Sequence, residues 1–354
     1  MKLAEARIGY AGYSPDLRGP GDRRRFLAYA ARRSLPFERA HVGHDYDLVL
    51  ATHNGDIAGW THRKRRDGAR FKFVFELVDS YFNQVAPARR WLKGIARYLL
   101  GMDSRLSPDF LRTLIQACEA ADAVICSTEE QRDAISRYNR NVHISFDWVD
   151  PELGAPKSDY SRSGKLKLVW EGQSTTLPNL QLLRGMLNRF HDQVELHVVT
   201  DPLIYRHFGK YGPFPAREAL RGINCDIIFH DWDASTFSAH IVACDLAIIP
   251  IDGRNRFWWG KPENKLVLLW KLGMPVLATA TPVYRRVMTA AGSDLLCQTE
   301  AQWASALQAI LEGPSAKLET MGQACRSFAN RHYSEGEFLG RFDAVFRSVG
   351  FDTN

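Results

Sequence analysis

Lys261, Glu263, Asn264 and Lys265 stand together in the stretch GKPENKLVLLWKLG, and side chains of these types could hold a nucleoside diphosphate. Two ammonium groups beside the free N–H groups of a starting helix make a positive pocket for a diphosphate, and a carboxylate such as Glu263 accepts hydrogen bonds from ribose or sugar hydroxyls. An amphipathic helix with a solvated basic start is the plainer alternative. A second group, Gly172, Gln173, Ser174 and Thr175, follows the run LKLVWE. Small and hydroxyl residues at a strand-to-helix turn let backbone N–H groups point at phosphate oxygens, although an ordinary capped loop explains them equally. Asp231 and Trp232 close the run CDIIFHDW. There the indole offers either a stacking face for a nucleobase or packing for the next helix.

The N-terminal half carries fewer candidates. Gly12 lies in a glycine-bearing loop after the first apolar run, suited to a sugar phosphate or to a tight turn. Asp79, after FKFVFELV, is a candidate for orienting or deprotonating an acceptor hydroxyl, with loop bracing as the rival role. His53 and Asp56 carry the same alternatives, and Asp22 fits a helix N-cap. Neither the histidines nor the 6 cysteines show metal-ligand spacing, so no metal is expected. The cysteines sit in apolar runs such as AVICS and IVACDLAII, which reads as buried, reduced thiols in a cytoplasmic protein. No dinucleotide fingerprint follows the first strand, which argues against a dehydrogenase.

Alternating short apolar runs and helical patterns must position these groups. ARIGYAG, DLVLATH, FKFVFEL, DAVICST and NVHISF read as strands in the first half, and LKLVWEG, VELHVVTD, CDIIFHD, DLAIIPI and PVLATAT in the second. Helical spacing between them predicts an α/β protein with two consecutive doubly wound, mainly parallel sheets. The Pro-, Gly- and Ser-rich stretch from Asp150 to Lys165 reads as the linker. Thr128 is placed to cap a helix, and Gly273 to end one in the left-handed conformation. Domains are expected over 1–155 and 156–335, with a terminal helix over 336–354. Ligands in such folds bind at the carboxyl ends of the strands, here in the cleft between the domains.

Charge is unevenly spread. The chain of 354 residues has a formal net charge of +6, and from Trp60 to Arg112 12 Lys and Arg stand against 5 Asp and Glu. This suggests an anionic partner at the N-terminal half. The stretch Ala88–Leu100 combines cations with Trp and Leu, and Arg63–Arg66 adds a basic cluster; both fit an anionic membrane surface, or else a solvated helix resting on its apolar face. No recognised nucleic-acid-binding motif accompanies the basic clusters, so nucleic acid is not an expected partner. No apolar run approaches the roughly 20 residues of a membrane span.

The runs DLAIIPI, KPENKL and GMPVLAT, with ADAVICSTEEQR upstream and EAQWASAL downstream, resemble the donor-binding core of retaining GT-B glycosyltransferases. The resemblance covers most of the chain and is strongest from Leu168 to Leu311. It implies two facing Rossmann-like domains, with a C-terminal helix crossing back to the first. It further implies a nucleotide-sugar donor as co-substrate in the second domain and a glycan or lipid-linked acceptor in the first. Transfer would then proceed without a metal or other cofactor, in the synthesis of a bacterial surface polysaccharide at the inner face of the membrane. The chain departs from that group's pattern. The two glutamates of its E-x7-E motif would fall at Gly260 and Leu268, and Gln173 stands where an arginine of the first phosphate loop is expected. A nucleotide-sugar epimerase or hydrolase, and a catalytically silent nucleotide- or carbohydrate-binding subunit, therefore remain as alternatives.

Overall fold

The computed structural model describes residues 1–83, 87–206 and 211–353, with backbone only at 69, 87–90, 205, 206 and 211. The chain divides into two units. The first comprises Met1–Trp148, Trp259–Pro262 and the chain from Ser334 onward; the second comprises Val149–Trp258 and Glu263–Tyr333. The division thus falls after Trp148, ahead of the expected 155, and the tetrapeptide Trp259–Pro262 leaves the second unit for the first.

The first unit is built on β1 (Ile8–Ala11), β2 (Glu38–Arg39), β3 (Leu48–Thr52), β4 (Lys72–Leu77), β5 (Ala123–Cys126) and β6 (Val142–Ile144). They form one all-parallel sheet in the order β2-β1-β3-β4-β5-β6. β3 is buried at every position and β4 at all but its first, as expected of strands covered on both faces. Helices α1 (Pro20–Arg23), α2 (Phe26–Arg32), α3 (Ile57–Asp67), α4 (Pro87–Leu99), α5 (Phe110–Ala120) and α6 (Glu129–Ile135) cover it. Asp56 caps α3 by accepting from the Gly59 N–H at 2.8 Å, and Thr128 caps α6 through the Gln131 N–H, as its position predicts. Asp22 is not the cap of α1. That position belongs to Gly19, and Asp22 lies buried inside the turn.

The second unit contains β7 (Leu166–Glu171), β8 (Val194–Thr200), β9 (Leu203–Arg206), β10 (Tyr211–Pro215), β11 (Asp226–Asp231), β12 (Leu246–Ile249), β13 (Val276–Thr279) and β14 (Leu296–Cys297). Its main sheet is parallel in the order β11-β8-β7-β12-β13-β14, the arrangement in which strand order reverses between the first strand and the fourth. β9 and β10 form an antiparallel pair that the sequence pattern does not announce. Around the sheet lie α7 (Arg184–Arg189), α8 (Phe237–Val242), α9 (Asn264–Lys271), α10 (Pro282–Ala290), α11 (Glu300–Glu312) and α12 (Ser315–His332). Gly273 has φ +79 just past α9, the predicted left-handed stop. Tyr160 donates to its carbonyl at 2.7 Å, so the linker is fastened to this unit.

Helix α13 (Glu335–Ser348) returns to the first unit, as the resemblance implies. Its Asp343 accepts from the Tyr29 hydroxyl at 2.8 Å, and Phe342 stacks on the Tyr29 ring at 5.0 Å. All six cysteines are free and buried. No described helix is long and apolar enough to cross a membrane.

Candidate functional site

In the second unit the strand order reverses between β7 and β12, and open α/β sheets bind ligands outside the carboxyl ends of strands at such a point. β7 ends at Glu171, and Gly172 follows. Its carbonyl accepts from the Thr200 hydroxyl at 2.6 Å, which fixes the turn. The Lys265 ammonium lies directly above Gly172, so close that a Cβ there would meet its Nζ. The same Nζ sits 4.6 Å from the centre of the Trp170 ring. Cation–π attraction to a buried indole holds the charge over the turn. Gly172 and Lys265 are far apart in sequence, and the sheet brings them together.

Gln173, Ser174 and Thr175 line a cavity of about 490 Å³ with Asp201, Pro202 and Leu203, within the size range of ligand pockets. The turn leads into a helix that is not α-helical at its start. From Ser174 to Leu183 the backbone is a 3-10 helix, and α-geometry begins only at Arg184. Pro178 lacks an N–H, and the helix has no side-chain cap, so the longer-range bonds do not form there. Ser174 donates its hydroxyl to the Leu203 carbonyl at 2.9 Å.

Glu263 stands at the N-cap position of α9 but makes no side-chain cap bond. It is buried and accepts from the Tyr333 hydroxyl at 2.6 Å. Asn264 and Lys265 form the first turn. Lys261 belongs to the first unit, where its Nζ lies 3.5 Å from Asp79 Oδ1. At the end of β11, Asp231 is exposed, and Trp232 stacks on Phe237 of α8 at 5.6 Å. The packing alternative for Trp232 is therefore realised in the described contacts. Just before it, His230 accepts or donates at 2.9 Å to His197 and stacks on His240 at 4.1 Å, a cluster the strand pattern does not reveal.

The first unit gathers polar groups at the carboxyl ends of β1, β3 and β4. Asp22 organises the loop after β1: it accepts from the Tyr10 and Ser14 hydroxyls and from the backbone N–H of Tyr13 and Ser14 at 2.7–3.0 Å. Gly12 is needed in that loop, since a Cβ would run into Asp22 and Leu17. Tyr13 then donates to Glu76 at 2.8 Å, and Glu76 pairs with the fully buried Arg25 at 2.8 Å. Beside them His53 is packed edge-on against Tyr13 and Tyr81, with Nε2 3.7 Å from Asp79 Oδ2. Burial pulls the His53 pKa down to about 4, against the opposing pull of Asp79, so the imidazole is neutral. Lys261, Asp79 and His53 thus form one cluster, with Asp79 partly open to solvent.

Gly260 explains why the first glutamate of the E-x7-E pattern is missing. Its carbonyl accepts from Gln131 at 2.8 Å and Thr128 at 3.2 Å, and a Cβ would come 2.5 Å from the Ser80 hydroxyl. A glutamate there would require Ser80 to shift. At the second position Leu268 is buried in α9 and packs in the core.

No protein-family model matches the chain, and no curated protein matches it in sequence. Solved structures do. The chain superposes on HepE of Anabaena in complex with UDP-glucose with a TM-score of 0.64 at 14% identity, over 97% of this chain and 100% of that one. It is also similar to the sucrose-phosphate synthase of Thermosynechococcus elongatus, with a TM-score of 0.61, 16% identity and coverage of 92% and 76%. A UDP-forming trehalose-phosphate synthase from Burkholderia xenovorans gives 0.58 at 12% identity, over 86% and 75%. The two parallel sheets and these likenesses define a GT-B fold.

Proposed function

We propose that the chain is a glycosyltransferase that moves a sugar from a nucleoside diphosphate to an acceptor hydroxyl, in the building of a surface glycan. The observation that carries the proposal is the Lys265 ammonium fixed above Gly172 at the point where strand order reverses, beside the cavity lined by Gln173, Ser174 and Thr175. A cation held there neutralises the charge that grows on a departing diphosphate. The first-turn N–H groups of α9 add their dipole, so that no metal is called for. Asn264 meets the donor's hydroxyls, and Asp231 its base. The solved relatives bound to UDP and UDP-glucose support a uridine nucleotide as donor.

The first unit takes the acceptor. Asp79 receives the proton of the attacking hydroxyl, Lys261 lies 3.5 Å from that carboxylate, and neutral His53 accepts a hydrogen bond from the sugar. The acceptor oxygen bonds to the anomeric carbon on the face from which the diphosphate departs, so that the configuration is kept, as likeness to the retaining group suggests. Six buried thiols support a reducing, cytoplasmic setting.

The seating of Gly260 and the burial of Leu268 also favour a second possibility, a subunit that binds the nucleotide without transfer. A thermal-shift screen of nucleoside diphosphates, followed by assay of sugar release with and without glycan acceptors, separates the two. A ligand that binds only the folded state raises its stability by mass action. Uridine diphosphate should raise the midpoint, and Lys265→Ala should remove most of that rise; an unchanged rise takes Lys265 out of the site. Binding without release under any acceptor would favour the silent subunit.

A further inference from the structure

Helix α4 is turned the opposite way from an ordinary surface helix. Lys93 donates to the Tyr81 hydroxyl at 3.0 Å and lies 4.0 Å from the centre of the Phe110 ring. Arg97 is buried, bonded to Asp103 at 2.6 Å and to the Gly55 carbonyl at 2.6 Å. Gly94 permits this seating, since a Cβ would strike the Pro108 carbonyl. With cations and glycine inward, the outward stripe is apolar: Trp91, Leu92, Ile95, Tyr98 and Leu99, at i, i+1, i+4, i+7 and i+8, are 40–75% exposed. Leu100 and Leu106 extend it, each 56% exposed. Monomers rarely leave such a stripe bare without a use for it.

The loop leaving α4 runs into a basic hollow. Ser104 and Arg105 line a cavity of about 490 Å³ together with His62, Arg63, Arg66 and Arg70. Arg63 and Arg66 are taken up by Asp45 and Asp67. Arg70 and Arg105 are exposed and make no hydrogen bond or ion pair among the described residues. An apolar helical stripe is thus followed in the chain by an arginine-lined hollow, within the stretch where 12 cations stand against 5 anions.

We propose that this face of the first unit docks on an anionic lipid bilayer, with the α4 stripe in the acyl boundary and Arg70 and Arg105 on phosphate headgroups. A second copy of the chain fits less well. A two-fold contact presents the same patch from both sides and offers Arg70 and Arg105 no anionic headgroup. The proposal does not depend on sugar transfer, and nucleotide binding by the second unit is measured separately.

The test floats the intact chain with phosphatidylcholine vesicles, with and without phosphatidylglycerol. The chain should float with the anionic vesicles and stay behind with the neutral ones, and added salt should release it. Leu92→Glu with Leu99→Glu, and separately Arg70→Glu with Arg105→Glu, should each cut the bound fraction by about tenfold or more, at unchanged thermal midpoints. Emission should shift to the blue on binding, and Trp91→Phe should remove the shift. Failure to float with anionic vesicles, or either double variant floating like the parent, would overturn the proposal. So would a chain dimer in solution that the two leucine substitutions dissolve while vesicle binding persists.

Discussion

Lys265 is held by the Trp170 indole over Gly172, and Asp79 is held between Lys261 and His53. The proposed transfer rests most on Asp79 and Lys265. Asp79→Asn removes the proton acceptor while keeping the shape of the side chain, so turnover should fall about 10²–10⁴-fold with nucleotide binding retained, as read by release of labelled sugar and by thermal shift. His53 makes a separate prediction. Its folded pKa, pushed by burial to about 4, lies below the ordinary 6.5, so the unfolded chain binds a proton that the folded one refuses. This contribution is intact above pH 6.5 and is lost as pH falls from 6.5 towards 4; the gap corresponds to about 3 kcal/mol. Urea titrations across that window should show the slope in the parent and lose it in His53→Asn. The positions of Lys265 and Asp79 in the fold were legible because a lysine beside a helix start and an aspartate after a strand are each placed by local pattern. Arg25 was not, for it is one of three consecutive arginines, and a run of like charge does not say which member turns inward.

At the scale of elements, the buried Arg25–Glu76 pair ties α2's approach to β4, with Asp147 3.1 Å from the same guanidinium. Removing Glu76 leaves the buried guanidinium with Asp147 as its remaining carboxylate. Glu76→Ala should therefore cost about 3–5 kcal/mol in stability by chemical denaturation, and a loss below the error of that measurement would contradict an ionic pair. Strands were legible from short apolar runs, and most helices from periodic spacing. The pair β9 and β10 was missed because YGPFP reads as a loop, glycine and proline both being poor strand formers. The orientation of α4 was hidden for a related reason. Pattern alone puts the apolar stripe inward, whereas here Gly94 and the loop carbonyls of Ser107 and Pro108 select the polar side.

The whole chain forms two parallel α/β units, and the second has the strand order of a dinucleotide-binding sheet without its glycine fingerprint. That order was not legible, because alternation predicts a parallel sheet but does not fix which strands are neighbours. Nor was the departure of Trp259–Pro262 to the first unit, since nothing local distinguishes Lys261 from Lys265. A nucleoside diphosphate is proposed to bind under Lys265, where strand order reverses between β7 and β12. Hydrogen exchange of the intact chain with and without saturating uridine diphosphate tests it most directly. Exchange should slow at Gly172–Thr175 and in the first turn of α9; protection confined to other segments, under conditions where the nucleotide demonstrably binds, would contradict it.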